Sequence, residues 1–283
     1  MAKEPHPESY EEALHTVQTL NPAPQVLAQA QKKLKDPHVE VDEIVDTVKS
    51  DPSLTTDIIR ISNGAYYGYE TKCSNLHEAV HRLGMQEIMR LVGLSISKAL
   101  FSKELAHYEV SHESHWSRSI AAALLMEALA QMHHEAADDA YTVGLLHAVG
   151  RLIISQLMDD FGLDATWDGK EPLHEWEKEH VGFSYDYAGA MILNRWDFAH
   201  KITHPILYHL KPPKPELGWS LHAYLHFCNF LLEYLGEDLS TKEWEVTDEL
   251  QELMNVVMID EPTLRELVDR TRENMKSLQK TMS

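Results

Sequence analysis

The sequence predicts an all-α chain built as two packed helical units. Three observations carry that expectation. Apolar residues recur at spacings of three and four along nearly every segment, which lines one face of an α-helix. Period-two alternation does not extend over five or more residues, so no sheet is expected. Helix start and stop residues punctuate the chain at short intervals.

The elements follow in order. Tyr10, Ala13, Leu14 and Val17 mark a first amphipathic segment. Asn21-Pro22-Ala23-Pro24 stops it, because proline removes a helical donor yet suits a first turn. Val26, Leu27, Ala30 and Leu34 carry a second helix to Asp36-Pro37, and Ile44, Val45 and Val48 a short third with Asp42 as its cap. Asp51 as N-cap and Pro52 at the first helical position open a fourth, whose Leu54, Ile58 and Ile61 face inward until Asn63-Gly64. Residues 65–72 read as a loop rich in tyrosine: Tyr66, Tyr67 and Tyr69. Asn75 and Glu78 form a capping box before Ala79, Val80 and Leu83. Gly84 breaks that helix, and a longer one runs through Ile88, Leu91, Val92 and Ile96 to Leu100. Residues 101–114 are polar and histidine-rich and read as the seam between the units.

The second unit opens with Trp116, Ile120, Ala123 and Leu124 on one face. Residues 141–157, YTVGLLHAVGRLIISQL, are the most apolar run, preceded by Asp138 and Asp139. A helix apolar nearly all round is buried, so this run is expected as one buried helix with His147 in its middle. Pro172 begins a helix through Trp176, Glu177 and His180 to Val181-Gly182, and Tyr185, Ala188, Gly189, Ile192 and Trp196 line the next. Residues 202–208 are helical by pattern, with Pro205 expected to kink or restart them, and 211–215 form a rigid linker. Leu221, Tyr224, Leu225, Cys228, Leu232 and Leu235 make a clear stripe. Leu250 and Leu253 mark a further helix, and Asp260-Glu261-Pro262 starts the last, with Leu264, Leu267, Val268 and Met275 inward.

Composition narrows the partners. The 283 residues carry 25 basic and 45 acidic side chains, a formal charge of -20. Such a field repels nucleic acid and anionic membrane unless a local basic patch overcomes it. The densest basic run is Lys32, Lys33 and Lys35, followed at once by Asp36, so neither kind of partner is expected. Cys73 and Cys228 offer no ligand spacing or disulfide framework, and no signal peptide or membrane span is readable; a cytoplasmic protein is expected. Of the eighteen histidines, His77/His81, His200/His204 and His222/His226 fall at i,i+4, but no third ligand travels with any pair. Phosphate-loop, dinucleotide-binding, nucleophile-elbow and C-x-x-C patterns are absent, and no period of 20–50 residues repeats.

Ordered motifs then carry a resemblance. In the first unit, S-D-P-x-L at 50–54 precedes S-N-x-x-Y-Y-G at 62–68 and E-A-x-x-R-L-G at 78–84. In the second, W-x-x-S at 116–119, G-L-L-H-x-x-G at 144–150 and E-x-x-x-x-G-F at 177–183 precede a W…H segment at 196–209. Over about residues 15–235 the chain resembles the HDOD family, bacterial relatives of the HD metal-dependent phosphohydrolases. The resemblance implies an N-terminal extension at 1–14, an N-terminal helical bundle at 15–105 and a C-terminal HD-like helical bundle at 106–283.

An active HD enzyme is expected to hold metal with a first histidine, a His-Asp pair and a distant aspartate. Carried over by motif, these fall on Arg118, on His147 and Ala148, and on Asn229. A further histidine position falls on Tyr185, and His209 keeps its Tyr-His context. Guanidinium keeps its proton and cannot ligate a cation. Alanine and asparagine lose the charges that would offset a dication. The resemblance therefore implies no metal, no cofactor and no catalytic residue. What is expected is a non-catalytic signal-transduction module acting through a protein partner or a small anionic ligand. Arg118, His147, Tyr185, His209 and Asn229 are either core positions filled by whatever packs or a remnant pocket able to receive an anion. Tyr66, Tyr67 and Tyr69 are candidate interface residues, or pack between the units. The competing reading is a metal-dependent phosphohydrolase with a displaced site drawn from His112, His115, His133, His134, Glu135 and Asp138.

Overall fold

The computed structural model describes residues 23–34, 36, 38–64, 67–69, 71–211, 220–241 and 243–282. The amphipathic segment at 10–17, Tyr66 and residues 212–215 of the expected linker lie outside them. The regular structure of the described residues is all helical, with one isolated antiparallel bridge, Leu105 to Val110. The protein is all-α, as the periodicity predicts.

The helices are α1 (Ala23–Leu34), α2 (Val41–Lys49), α3 (Pro52–Ser62), α4 (Leu76–Leu83) and α5 (Met85–Leu100), then a 3₁₀ turn, Ala106–Tyr108. Next come α6 (His112–Met132), α7 (Ala137–Leu146), α8 (Val149–Asp160), α9 (Leu173–Val181), α10 (Tyr185–Arg195) and α11 (His200–Tyr208). The last are α12 (Ser220–Leu235), α13 (Asp248–Val256) and α14 (Glu261–Met282). Several starts are set by the residues that signal them. The Asp51 carboxylate accepts from the Leu54 N–H at 3.0 Å with Pro52 at N1. Asn75 accepts from the Glu78 N–H at 2.9 Å, while the Glu78 carboxylate reaches back to the Ser74 N–H at 2.7 Å. Gly84 takes φ +83, a conformation that costs other residues, and separates α4 from α5.

Helix α5 packs on α1, α3 and α4, and also against α6 and α7. Helix α6 is the centre of the rest, touching α7, α12 and α14, while α8 packs on α9 and α10. The glycines of G-L-L-H-x-x-G explain the closest approaches. A Cβ on Gly144 would lie 2.6 Å from the Ala122 backbone of α6, and one on Gly150 would lie 1.9 Å from the Tyr185 carbonyl oxygen of α10. Only glycine lets these backbones meet.

The structure corrects several expectations. Residues 141–157 are not one helix: α7 ends at Leu146 and α8 starts at Val149. The cause is local. The His147 ring Nδ1–H donates to the Gly144 carbonyl at 2.6 Å, the acceptor an unbroken helix would pair with the Ala148 N–H. Asp42 is not a cap; α2 starts two residues earlier, after Glu40, and Asp42 complements the helix dipole from its first turn. Residues 101–114 are less polar in place than expected: Phe101, Leu105 and Tyr108 are buried, and α6 already begins at His112, capped by Ser111. Pro205 neither ends nor restarts α11, which runs through it.

Candidate functional site

Helices α6, α7, α10, α11 and α12 bring the five carried-over positions together. Arg118 on α6 is 1% exposed. Its Nη2 donates to the Asn229 Oδ1 of α12 at 2.9 Å, and its Nη1 lies 3.0 Å from both oxygens of Glu237, just beyond α12. Glu233 adds a longer contact at 3.6 Å. His147 and His209 face each other edge-on with ring centres 6.2 Å apart. His209 Nδ1–H donates to the Ile206 carbonyl at 2.7 Å, which fixes Nε2 as an acceptor, and the Tyr185 hydroxyl donates to it at 3.0 Å. By the same logic His147 presents a bare Nε2, without a hydrogen-bond partner among the described residues.

Burial governs the protonation of this cluster. It holds His147 well below the usual histidine range, reinforced by the Arg118 cation, and His209 falls to about 3. Both imidazoles are neutral near pH 7. A metal at the HD position does not fit these residues. His147 Nε2 has a free lone pair, but Tyr185 occupies that of His209, Asn229 gives its oxygen to Arg118, and Ala148 offers no ligand. Arg118 sets a fixed cation where the dication would sit. Among the described residues no group of three histidine, cysteine, aspartate or glutamate side chains is arranged to hold a metal.

The spare histidines are scattered rather than converged. His115 is buried against Phe101 and beneath the Ala148 carbonyl, and His133 stacks on Tyr224. Two of the i,i+4 pairs make internal contacts, His204 Nδ1 meeting His222 Nε2 at 2.8 Å and His226 Nδ1 the His209 carbonyl at 2.8 Å, while His77 of the third lies at the surface beside Lys49 and Asp42. In the tyrosine loop, the Tyr67 hydroxyl donates to Glu87 at 2.6 Å. The Tyr69 ring, 48% exposed, lies under the Arg82 guanidinium.

A cavity of about 320 Å³ opens over Arg118 and Tyr185, two of the five positions. Its floor also holds Arg151 of α8, which sequence reasoning missed, and its rim holds Glu233 and Glu237. Arg151 is 5% exposed, and its guanidinium lies 4.8 Å above the Tyr185 ring. Beside it, Glu177 accepts from the Tyr108 hydroxyl at 2.9 Å and the Tyr185 N–H at 2.8 Å. Desolvation nevertheless raises its carboxyl to about 8, so near pH 7 it is largely neutral. A signal for Arg151 did exist: a cation one residue past Gly150, inside the most apolar run, needs a reason to be buried.

A second cavity of about 430 Å³ lies between α1, α5 and α7. Its charges are spoken for: Arg90 pairs with Glu87 and Glu127 at 3.0 and 2.9 Å, Lys201 with Asp139, and Asp138 accepts from Gln86. The cavity over Arg118 and Arg151 is the better candidate because one of its cations lacks such a partner.

The family model for the HDOD domain matches residues 20–212. A curated relative, an uncharacterized protein of Treponema pallidum (strain Nichols), is 24% identical over 219 residues. The alignment takes in 75% of this chain but only 42% of that relative, so the chain spans less than half of its length. Among solved structures, a candidate phosphohydrolase from Shewanella amazonensis SB2B superposes with a TM-score of 0.66 at 21% identity, covering 95% of this chain and 96% of that one. An HDOD domain protein of unknown function from Geobacter sulfurreducens also gives 0.66, at 20% identity over 89% and 91%. A candidate signal transduction protein from Marinobacter aquaeolei VT8 gives 0.69 at 21% identity, over 95% of this chain and 60% of that one. These likenesses establish the shared fold.

Proposed function

The chain belongs to the HDOD domain family, and on that premise we propose that it is a non-catalytic signal-transduction module that works by binding rather than by hydrolysis. The observation that carries the reading is Arg118, hydrogen-bonded to Asn229 and Glu237 at the first metal-ligand position. A metal-activated water needs a dication held by imidazole and carboxylate. Here the same space holds a guanidinium that already takes the nearest oxygen donors. The solved protein described as a candidate signal transduction protein, which shares the fold, is consistent with such a role.

The site then serves as a binding pocket: Arg118 and Tyr185 line it, Asn229 holds Arg118, and His209, facing His147, holds Tyr185. A protein partner would find Tyr69 on the surface, with Tyr67 behind it, tied to α5 through Glu87. No described helix is long and apolar enough to cross a membrane, in keeping with a cytoplasmic setting. The test is turnover. The full chain is incubated with a nitrophenyl phosphate monoester and the corresponding diester in the presence of Mn²⁺, Mg²⁺, Ni²⁺ or Zn²⁺. The reading expects no release of nitrophenol above that of a His147→Ala variant. Metal-dependent release that disappears in that variant would refute it.

A further inference from the structure

The cavity floor carries an unusual charge arrangement. Arg151 donates no side-chain hydrogen bond and forms no ion pair with any described residue, although it is 5% exposed. Its guanidinium is buried, lies on the Tyr185 ring and faces the cavity. Burying a cation without an acceptor is costly unless something anionic completes it. The nearest buried carboxyl, Glu177, does not serve, because the Tyr108 hydroxyl and the Tyr185 N–H hold it. Glu237 and Glu177 lie near enough to hold the Arg151 guanidinium firmly charged, but neither reaches it with a hydrogen bond, so its donors are left to the cavity.

Arg118 shares the cavity but is completed by Glu237. That carboxylate follows Gly236, whose φ is +91, and its side chain is one-third exposed. It can swing toward water by a turn about its own bonds. Glu237 thus stands as an internal anion that an external one can replace. Above the two arginines, Trp167, Pro172, Leu173 and Leu210 make an apolar wall. A volume of about 320 Å³ suits a small organic molecule with one charged end.

We propose that this cavity binds a phosphate monoester, its dianionic end held by Arg151 and by Arg118 once Glu237 is displaced, its apolar body against Trp167 and Leu173. Paired guanidinium forks match a tetrahedral dianion better than a carboxylate does. Glu233 and the net charge of -20 oppose entry of anions, so selectivity falls to ligands that engage both arginines and the wall. The proposal rests on the non-catalytic reading above, since a hydrolase would consume the same ligand.

The test is calorimetric titration of the full chain with phenyl phosphate and, separately, with inorganic phosphate, at constant ionic strength. One saturable site is expected for phenyl phosphate, with inorganic phosphate weaker because it leaves the wall empty. Arg151→Met should weaken binding by about tenfold or more, with Arg151→Lys intermediate. Glu237→Gln should tighten it several-fold, and phosphate should restore whatever thermal stability that variant loses, a rescue that a purely structural salt bridge would not give. Trp167→Ala leaves both arginines in place and should reduce the preference for phenyl phosphate over phosphate. Absence of saturable binding to the wild-type chain, or equal binding by a folded Arg151→Met variant, overturns the proposal. Equal affinity for the two ligands overturns the assignment of a monoester with an apolar body. Phenol released in the same samples would overturn both this proposal and the non-catalytic reading. Silence in every arm would defeat the proposal alone.

Discussion

Arg118 is a permanent cation enclosed by protein, and its surroundings show what keeps it there. Asn229 and Glu237 satisfy its two terminal nitrogens. Arg118→Met removes the cation and leaves Asn229 and Glu237 without their donor. The expected cost is about 2–3 kcal/mol, below the usual figure for a broken buried pair because Glu237 is partly solvated; urea unfolding of the variant measures it. Glu177→Gln should act in the opposite sense above neutral pH. Glutamine keeps an oxygen for the Tyr185 N–H and a polar group for Tyr108, but never has to ionise in the core. The variant should therefore lose less stability than the wild type between pH 6.5 and pH 8, as read by thermal denaturation at each pH. The five positions carried over by motif converge in space, and that much was legible because their spacing on helices is fixed by the family pattern. Arg151 and Glu237 were not read. Glu237 lies 119 residues from Arg118, in a turn with no motif, and a sequence offers no measure of which of 45 acidic residues returns to a given arginine.

At the scale of the helix, the run 141–157 shows where periodicity stops being informative. An apolar stretch announces burial, but it does not announce a two-residue interruption made by one imidazole. Hydropathy is the same on either side of His147; only the ring's bond to the Gly144 carbonyl marks the break. Caps were more legible, because Asp51-Pro52 and Asn75 with Glu78 act on their own neighbours. Asp42 misled because a carboxylate in the first turn and one at the N-cap look alike in sequence. The glycines separate packing from propensity in a testable way. Gly150→Ala places a methyl group against the Tyr185 carbonyl and should cost about 3 kcal/mol or prevent folding. Gly93→Ala meets only flexible side-chain ends, those of Leu145 at 3.1 Å and Leu27 at 3.8 Å. Its gain in helix propensity, about 1 kcal/mol, should offset the small repacking and leave stability within about 1 kcal/mol of wild type. Denaturant midpoints of the two variants check the contrast.

For the whole molecule, buried ionisable groups set the pH dependence. His115, His147 and His209 are all held below their usual value of 6.5 by burial, so below that pH the unfolded chain binds protons that the folded chain refuses. Stability is lost as pH falls through that range. Glu177 works the other way. Its folded value of about 8 exceeds its usual 4.5, so the stability it contributes is lost as pH rises toward 8. Between 4.5 and 6.5 the three buried histidines outweigh Glu177 and Glu127, whose carboxyl burial also raises, and above 6.5 the carboxyls act without them. The melting temperature should peak near pH 6.5 and decline on both sides; a monotonic rise to pH 8 would contradict these assignments. The fold class was readable throughout, because helical periodicity is local and repeated, whereas the cavity is a property of helices that meet only after folding.

Whether a guanidinium has taken the place of a metal is decided by elemental analysis of the purified full chain, prepared without chelator in medium containing transition metals. The expected result is no metal approaching one equivalent per chain, unchanged in His147→Ala. One equivalent of a transition metal, lost in that variant, would contradict the assignment of Arg118 to the ligand position and with it the non-catalytic role.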